Sequence, residues 1–208
     1  MARESDELVA AGYDSVADAY AALEREGEWP RQRWLADLLR RLRAGARVLD
    51  LGCGSGIPAT RSVVDAGHSV VAADISPEQV RRARQNVPEA EVILTGALDL
   101  QLEPESLDAV LAFYVVDHIP REQHGQILAN MHRWLCPGGW LLITFEIDDQ
   151  PGIVGEWLGV PMFFSHYDAA TSQKLMRQAG FEIVRAEEET QQEGERPVPY
   201  LWLLARKS

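Results

Sequence analysis

The chain has 208 residues, 46% of them hydrophobic and 25% charged, with 20 Lys and Arg against 32 Asp and Glu, a formal net charge of −12. That length fits one domain with a real core, and the acidic balance argues against nucleic acid or an anionic lipid surface as partner. Two cysteines, Cys53 and Cys136, exclude a disulfide framework and zinc-ligand spacing.

The N-terminus lacks the basic-then-apolar pattern of a signal peptide, and no apolar run approaches the ~18 residues that span a bilayer. A cytoplasmic protein is expected. The first residues are polar and read as frayed. Tyr13, Val16, Ala17 and Tyr20 then recur at helical spacing. After a break over residues 24–30, Trp34, Leu35, Leu38, Leu39 and Leu42 form one apolar stripe, with Arg33, Arg40, Arg41 and Arg43 mostly off it. Gly45 marks the end of that helix.

A short buried strand, Arg47-Val48-Leu49, is closed by Asp50. Gly52, Gly54 and Gly56 turn the chain tightly around Cys53, a small filler, and a helix starts near Ala59. A glycine turn between strand and helix lets a ligand approach the backbone and points the helix-start N–H groups at it. The spacing is G-x-G-x-G, not the dinucleotide G-x-G-x-x-G, and an acid precedes it. Asp50 would repel a pyrophosphate and suits a cationic, amino-bearing ligand.

Val70-Val71-Ala72-Ala73-Asp74 is a second strand ending in an acid, roughly 20 residues past the glycines, where an acid can hold a ribose diol. Ser76-Pro77-Glu78-Gln79 is a capped helix start. A third strand runs over residues 91–95 and a fourth over 107–113. A loop, Tyr114 to Pro120, precedes a helix with Ile127, Leu128, Met131 and Leu135 inward. Cys136-Pro137-Gly138-Gly139 turns into a fifth strand ending near Phe145.

Residues 146–167 read as irregular, with several glycines, prolines and aromatics, and so as a binding loop. Asp168 begins the last helix, which Gly180 ends. Residues 181–184 alternate as a strand, 187–196 read as a charged turn in which Glu187, Glu188 and Glu189 are solvated, and 200–205 return as the final strand.

At D-L-G-C-G-S-G, the acid-ended second strand, the L-x-P-G-G turn and the H-x-P loop ending, the chain resembles the class I S-adenosylmethionine-dependent methyltransferases. A positive group near Asp50 and a ribose at Asp74 describe S-adenosylmethionine better than NAD. The resemblance implies an α/β fold: a Rossmann-like three-layer sandwich whose mostly parallel seven-stranded sheet ends in an antiparallel pair. It implies one domain over residues 1–208, with 1–30 as an N-terminal lid and 146–167 as a substrate-side insertion.

The cofactor implied is S-adenosyl-L-methionine, with S-adenosyl-L-homocysteine as product. Its expected contacts are Tyr13 and Tyr20 of a lid helix, Asp50, Gly52, Cys53, Gly54, Gly56, Ile57 and Pro58, then Asp74, Ile75, Gly96, Ala97, Leu98 and Phe113. Periodicity alone equally allows the Tyr13–Tyr20 helix to be an ordinary docked helix. In the family an acid meets the adenine amino group just after the third strand; here Gly96 stands in that position, and Asp99 is the nearest acid in sequence.

The motif N/D-P-P-Y/F of enzymes that methylate base amines or glutamine amides is absent after the fourth strand, which favours a small-molecule acceptor. His118, with Asp117 and His166, is the candidate acid–base set, because histidine titrates near neutral pH. Tyr114, Glu146, Trp157, Met162, Phe163 and Tyr167 are the candidate acceptor contacts. No metal site is expected, and the protein should be a monomer or homodimer acting on a small molecule. Two alternatives remain open: non-methylating chemistry on the same cofactor, such as a cyclisation, and a binding module.

Overall fold

In a computed structural model, residues 2–26, 30–193 and 196–208 are described. Strands β1 (Arg47–Leu51), β2 (Ser69–Asp74), β3 (Glu91–Leu94), β4 (Leu107–Ala112), β5 (Leu135–Glu146), β8 (Phe181–Glu193) and β9 (Arg196–Lys207) form one sheet in the order β3-β2-β1-β4-β5-β9-β8. The first five are parallel; β9 runs antiparallel to both β5 and β8. This is the expected Rossmann-like α/β sheet with its antiparallel end.

The central strands are nearly continuous apolar runs because both faces are covered. Side chains alternate across the sheet, so β1 sends Val48 to one core and Leu49 and Leu51 to the other. The first face packs under α3 (Arg31–Leu39), α4 (Ala59–Asp65) and α5 (Pro77–Asn86) through Trp34, Leu38, Val63 and Ala83. The second packs under α6 (His124–Trp134) and α7 (Ala169–Gln178) through Ile127, Met131 and Met176. Ser76 caps α5 by accepting from Gln79 N at 3.1 Å, and Asp168 caps α7 by accepting from Thr171 N at 2.7 Å.

Three sequence expectations are corrected. The N-terminus is not frayed over the described residues: α1 (Ala2–Ser15) and α2 (Ala17–Glu26) are helical, and Ser5, Val9, Val16 and Ala17 bury one face. Residues 27–29 lie outside the described residues.

The segment 146–167 is not irregular. It holds a separate antiparallel hairpin, β6 (Gln150–Trp157) and β7 (Val160–His166). Its turn residues, Leu158 (φ 50°) and Gly159 (φ 81°), are both left-handed, as a tight two-residue hairpin requires. Pro151, Gly152, Gly155 and Pro161 hid these strands, being poor strand formers. They are tolerated because a two-stranded sheet has only edges, and an irregularity between Gln150 and Ile153 absorbs Pro151-Gly152.

The stretch 187–196 is not a turn. The β8–β9 ladder continues to the pair Glu193–Arg196, leaving only residues 194 and 195 between the strands, outside the described residues. The glutamates mislead because β8 is the sheet edge, where exposed charge is common. Glu189 is not merely solvated: it accepts from Trp34 Nε1 at 2.7 Å and pairs with Arg33.

Candidate functional site

The carboxyl ends of β1, β2, β3, β4 and β5 open on one side of the sheet, where ligands of such sheets bind. There α1 and α2 close over the strand ends and leave a cleft. Its floor is Asp50 to Gly54, Asp74 and Ile75; its far walls are Thr95 and Ala97 on one side and Phe113, Tyr114 and His118 on the other. Tyr13 and Tyr20 form the roof.

Asp50 is 2% exposed and takes a 2.6 Å hydrogen bond from the Thr60 hydroxyl. Burial pushes its carboxyl up to about 6, against the hydroxyl and the charge of Arg31. Asp74 is raised by burial too, and its oxygens accept from Gly54 N at 2.8 Å and Ser76 N at 2.9 Å. The Cys53 thiol is driven up by burial and stays protonated. These features fit S-adenosylmethionine. A buried carboxyl with a raised pKa gains from an arriving ammonium, and a Cβ built on Gly54 would meet nothing closer than Gln79 Oε1 at 3.9 Å, so the cleft reaches its backbone. By contrast, a Cβ on Gly52 would stand 2.1 Å from Val115 Cγ2, so that glycine is demanded by packing.

A second, smaller cavity lies against the first. The two share Tyr13, Tyr20, Tyr114 and His118. Asp117, Glu146, Trp157, Phe164, Glu193 and Tyr200 complete it. His118 is pinned at both nitrogens: Nδ1 lies 2.8 Å from the Phe163 carbonyl, and Nε2 lies 2.8 Å from the Tyr13 hydroxyl. A carbonyl cannot donate, so Nδ1 carries the hydrogen and Nε2 accepts from Tyr13. Burial lowers the His118 pKa, which keeps the ring neutral.

Asp117 is 2% exposed, and one of its oxygens accepts from Glu146 N at 2.9 Å. Burial, and then the Glu146 charge, push its carboxyl up to about 8. His166 Nε2 lies 3.3 Å from Glu146 Oε2, and its Nδ1 meets the Asp148 carbonyl. Burial lowers its pKa, but Glu146 and Asp117 outweigh that and raise it.

Several predicted residues lie off these walls. Gly56 packs on α5, Ile57 is 40% exposed, and Pro58 caps α4. Gly96 and Leu98 flank Ala97 without lining the cleft. Met162 is buried under α1, its Cε 2.7 Å from a Cβ built on Gly12. Phe163 contributes only its carbonyl, and Tyr167 packs on Arg121 and His124. His166 stands behind Glu146 rather than on a wall.

Other wall residues carried no sequence motif. Asp6 of α1 reaches the cleft near Gly96, its Oδ2 3.7 Å from a Cβ built there. Burial, then Asp99, raise its pKa. Glu24 and Arg31 line the cleft as a 2.7 Å pair, and the guanidinium lies 5.7 Å from the Phe113 ring centre and 5.1 Å from that of Tyr114. Tyr200 stands opposite Glu146 in the β5–β9 ladder, a register that two continuous apolar runs do not mark in the sequence.

A methyltransferase-domain family model matches residues 49–143. An uncharacterized methyltransferase of Synechocystis sp. is 32% identical over 151 residues, covering 68% of this chain and 69% of that protein. The 27-O-demethylrifamycin SV methyltransferase of Amycolatopsis mediterranei is 31% identical over 165 residues, covering 69% of this chain and 60% of that protein. Among solved structures, the 1,6-didemethyltoxoflavin-N1-methyltransferase of Burkholderia thailandensis, with bound 1,6-didemethyltoxoflavin and S-adenosylhomocysteine, superposes with TM-score 0.78 at 22% identity, covering 100% of this chain and 91% of that one.

Proposed function

The chain belongs to the methyltransferase-domain family of S-adenosylmethionine-dependent enzymes, and from that premise we propose that it methylates a small molecule seated in the second cavity. The observation that carries this reading is the wall shared by the two cavities. Tyr13, Tyr20, Tyr114 and His118 border both, so a donor in the cleft and an acceptor in the smaller cavity meet at His118. The related proteins are named for small molecules, 27-O-demethylrifamycin SV and 1,6-didemethyltoxoflavin, which supports the same class of acceptor here.

S-adenosylmethionine supplies a methyl carbon bonded to a positive sulfur, and transfer breaks that bond with both electrons left on sulfur. This chain's residues divide the binding work. Asp50 faces the amino group, and Arg31, braced by Glu24, faces the carboxylate. Asp74 accepts from the ribose hydroxyls with its remaining lone pairs. Thr95 and Ala97 border the adenine, and Asp6 supplies from the lid the acid that Gly96 cannot. His118 Nε2 takes a proton from the acceptor, while Phe163 fixes the ring and Tyr13 ties it to the lid. Positioning by these walls lowers much of the barrier. The whole of 1–208 works as one unit, with α1 and α2 as its lid.

Incubation with methyl-labelled S-adenosylmethionine and a small-molecule extract tests this reading. Label in a small product is expected. Cofactor binding without any transfer of label would point instead to non-methylating chemistry or a binding module.

A further inference from the structure

Resting on that reading of the second cavity, we infer the chemical class of its acceptor: a basic amine carried on a flat apolar ring. The walls combine ring faces with carboxyls. Tyr114 and Tyr200 meet edge to face at 4.9 Å, Trp157 closes on Tyr13 and Tyr20 at 5.4 Å each, and Asp117, Glu146 and Glu193 stand among them. No Lys or Arg lines this cavity among the described residues. Electron-rich ring faces and carboxylates attract a cation and repel a phenolate or carboxylate.

The carboxylates are held in place rather than loose. Glu193 accepts from Tyr200 at 2.9 Å, Gln191 at 3.1 Å and Trp157 at 3.0 Å, which fixes its orientation. Glu146 sits between the Tyr200 hydroxyl at 3.4 Å and His166 at 3.3 Å. An independent observation points to a donor from outside the protein. Asp117 Oδ2 is fully buried and has no hydrogen-bond partner, although its residue lines the cavity. Burial and the Glu146 charge keep the Asp117 carboxyl protonated when no cation lies beside it; an arriving ammonium favours the ionised form, and Oδ2 then accepts an amine N–H, which relieves the cost of a buried polar atom left unmade.

The same cluster makes the amine reactive. An ammonium has no lone pair, so it first gives one proton to a carboxylate or to His118 Nε2. The neutral nitrogen then forms the new C–N bond with its lone pair as the C–S pair stays on sulfur. Positive charge thereby moves from sulfur to nitrogen, and the methylated ammonium remains a cation that the rings and carboxylates accommodate.

The test is calorimetry on protein saturated with S-adenosylhomocysteine, using two matched sets: benzylamine, benzyl alcohol and benzoate; tryptamine, tryptophol and indole-3-acetate. In at least one set the amine should bind about tenfold tighter than the alcohol, as expected for a hydrogen bond to a charged group, with the acid weakest. Glu146→Gln and Glu193→Gln, checked by thermal melting for intact folding, should each reduce the preference to less than about threefold. An alcohol or acid that binds as tightly as its amine, or no binding by any of the six, overturns the inference. The S-adenosylhomocysteine titration itself separates the two levels. If the nucleoside binds and no amine is preferred, the amine inference alone falls; if the nucleoside does not bind, the reading of the cleft falls with it.

Discussion

The Tyr13 hydroxyl donates to His118 Nε2 across 2.8 Å, so a residue of the lid helix occupies the lone pair with which the histidine would accept a proton. The lid therefore touches the base as well as the cleft. His118→Ala should lower methyl transfer by ~10²–10⁴, the usual span for a lost acid–base group, with S-adenosylhomocysteine affinity little changed. Burial lowers the His118 pKa, so the wild-type rate should hold through neutrality and fall only below the ordinary histidine range. Equal rates for variant and wild type from pH 6 to 9 would remove His118 from the mechanism.

Asp6 and Tyr13 lie on the same helix and reach the same cleft, so ligand binding should register on that helix. At the C-terminal end of α1, Asp14 accepts from Ser76 Oγ at 2.5 Å and Glu78 N at 2.9 Å. Hydrogen exchange over residues 2–13 should slow markedly with S-adenosylhomocysteine, as lids do. Asp6→Ala should cost about tenfold or more in affinity for S-adenosylhomocysteine, one hydrogen bond to a charged acceptor. It should cost little for S-inosylhomocysteine, which lacks the amino group. Equal losses for both nucleosides would take Asp6 away from the adenine.

Gly52, Gly54 and Gly67 all have left-handed φ (70°, 53° and 84°) but different surroundings. A Cβ at Gly67 meets nothing within 4 Å, so Gly67→Ala reports the backbone strain alone, about 1–3 kcal/mol. Gly54→Ala should melt near Gly67→Ala yet lose most S-adenosylhomocysteine affinity, because its Cβ enters the cleft. Gly52→Ala should melt lowest, since its Cβ strikes Val115. Thermal melts and calorimetry on the three variants decide the order; full affinity in Gly54→Ala would place the ligand elsewhere.

Asp117 also makes a stability prediction. Its pKa in the folded protein is raised to about 8, whereas an unfolded Asp ionises near 3.9. The folded chain thus holds a proton that the unfolded chain has lost, so this carboxyl's contribution falls as pH rises from ~4 to ~8 and is level above that. Asp117→Asn can still accept from Glu146 N and has no charge to bury. Its melting temperature should be close to wild type near pH 5 and should exceed it increasingly toward pH 8. A difference that stays constant with pH would show that Asp117 is already ionised in the fold.

Much of this molecule could be read from the chain itself. The β1 run, the glycines after Asp50, the acid ending β2, the Ser76 cap and the apolar stripes of α3 and α6 are local patterns, each set by hydrophobic burial or backbone geometry within a few residues. Together they specify the sheet, its cofactor and the positions of Asp50 and Asp74. The hairpin β6–β7 and the outer half of β8 escaped because proline, glycine and glutamate oppose strand formation locally; only pairing with a partner strand overrides them. The wall residues that carry no motif escaped for a deeper reason. Asp6, Arg31, Glu193 and Tyr200 lie on four separate elements, and their neighbours are fixed by how the lid and the β8–β9 ladder fold back over the strand ends. A carboxyl in a sequence is an ordinary surface charge until packing buries it. The burial that raises Asp50 and Asp117, and the 2.8 Å approach of Tyr13 to His118, exist only in the assembled fold.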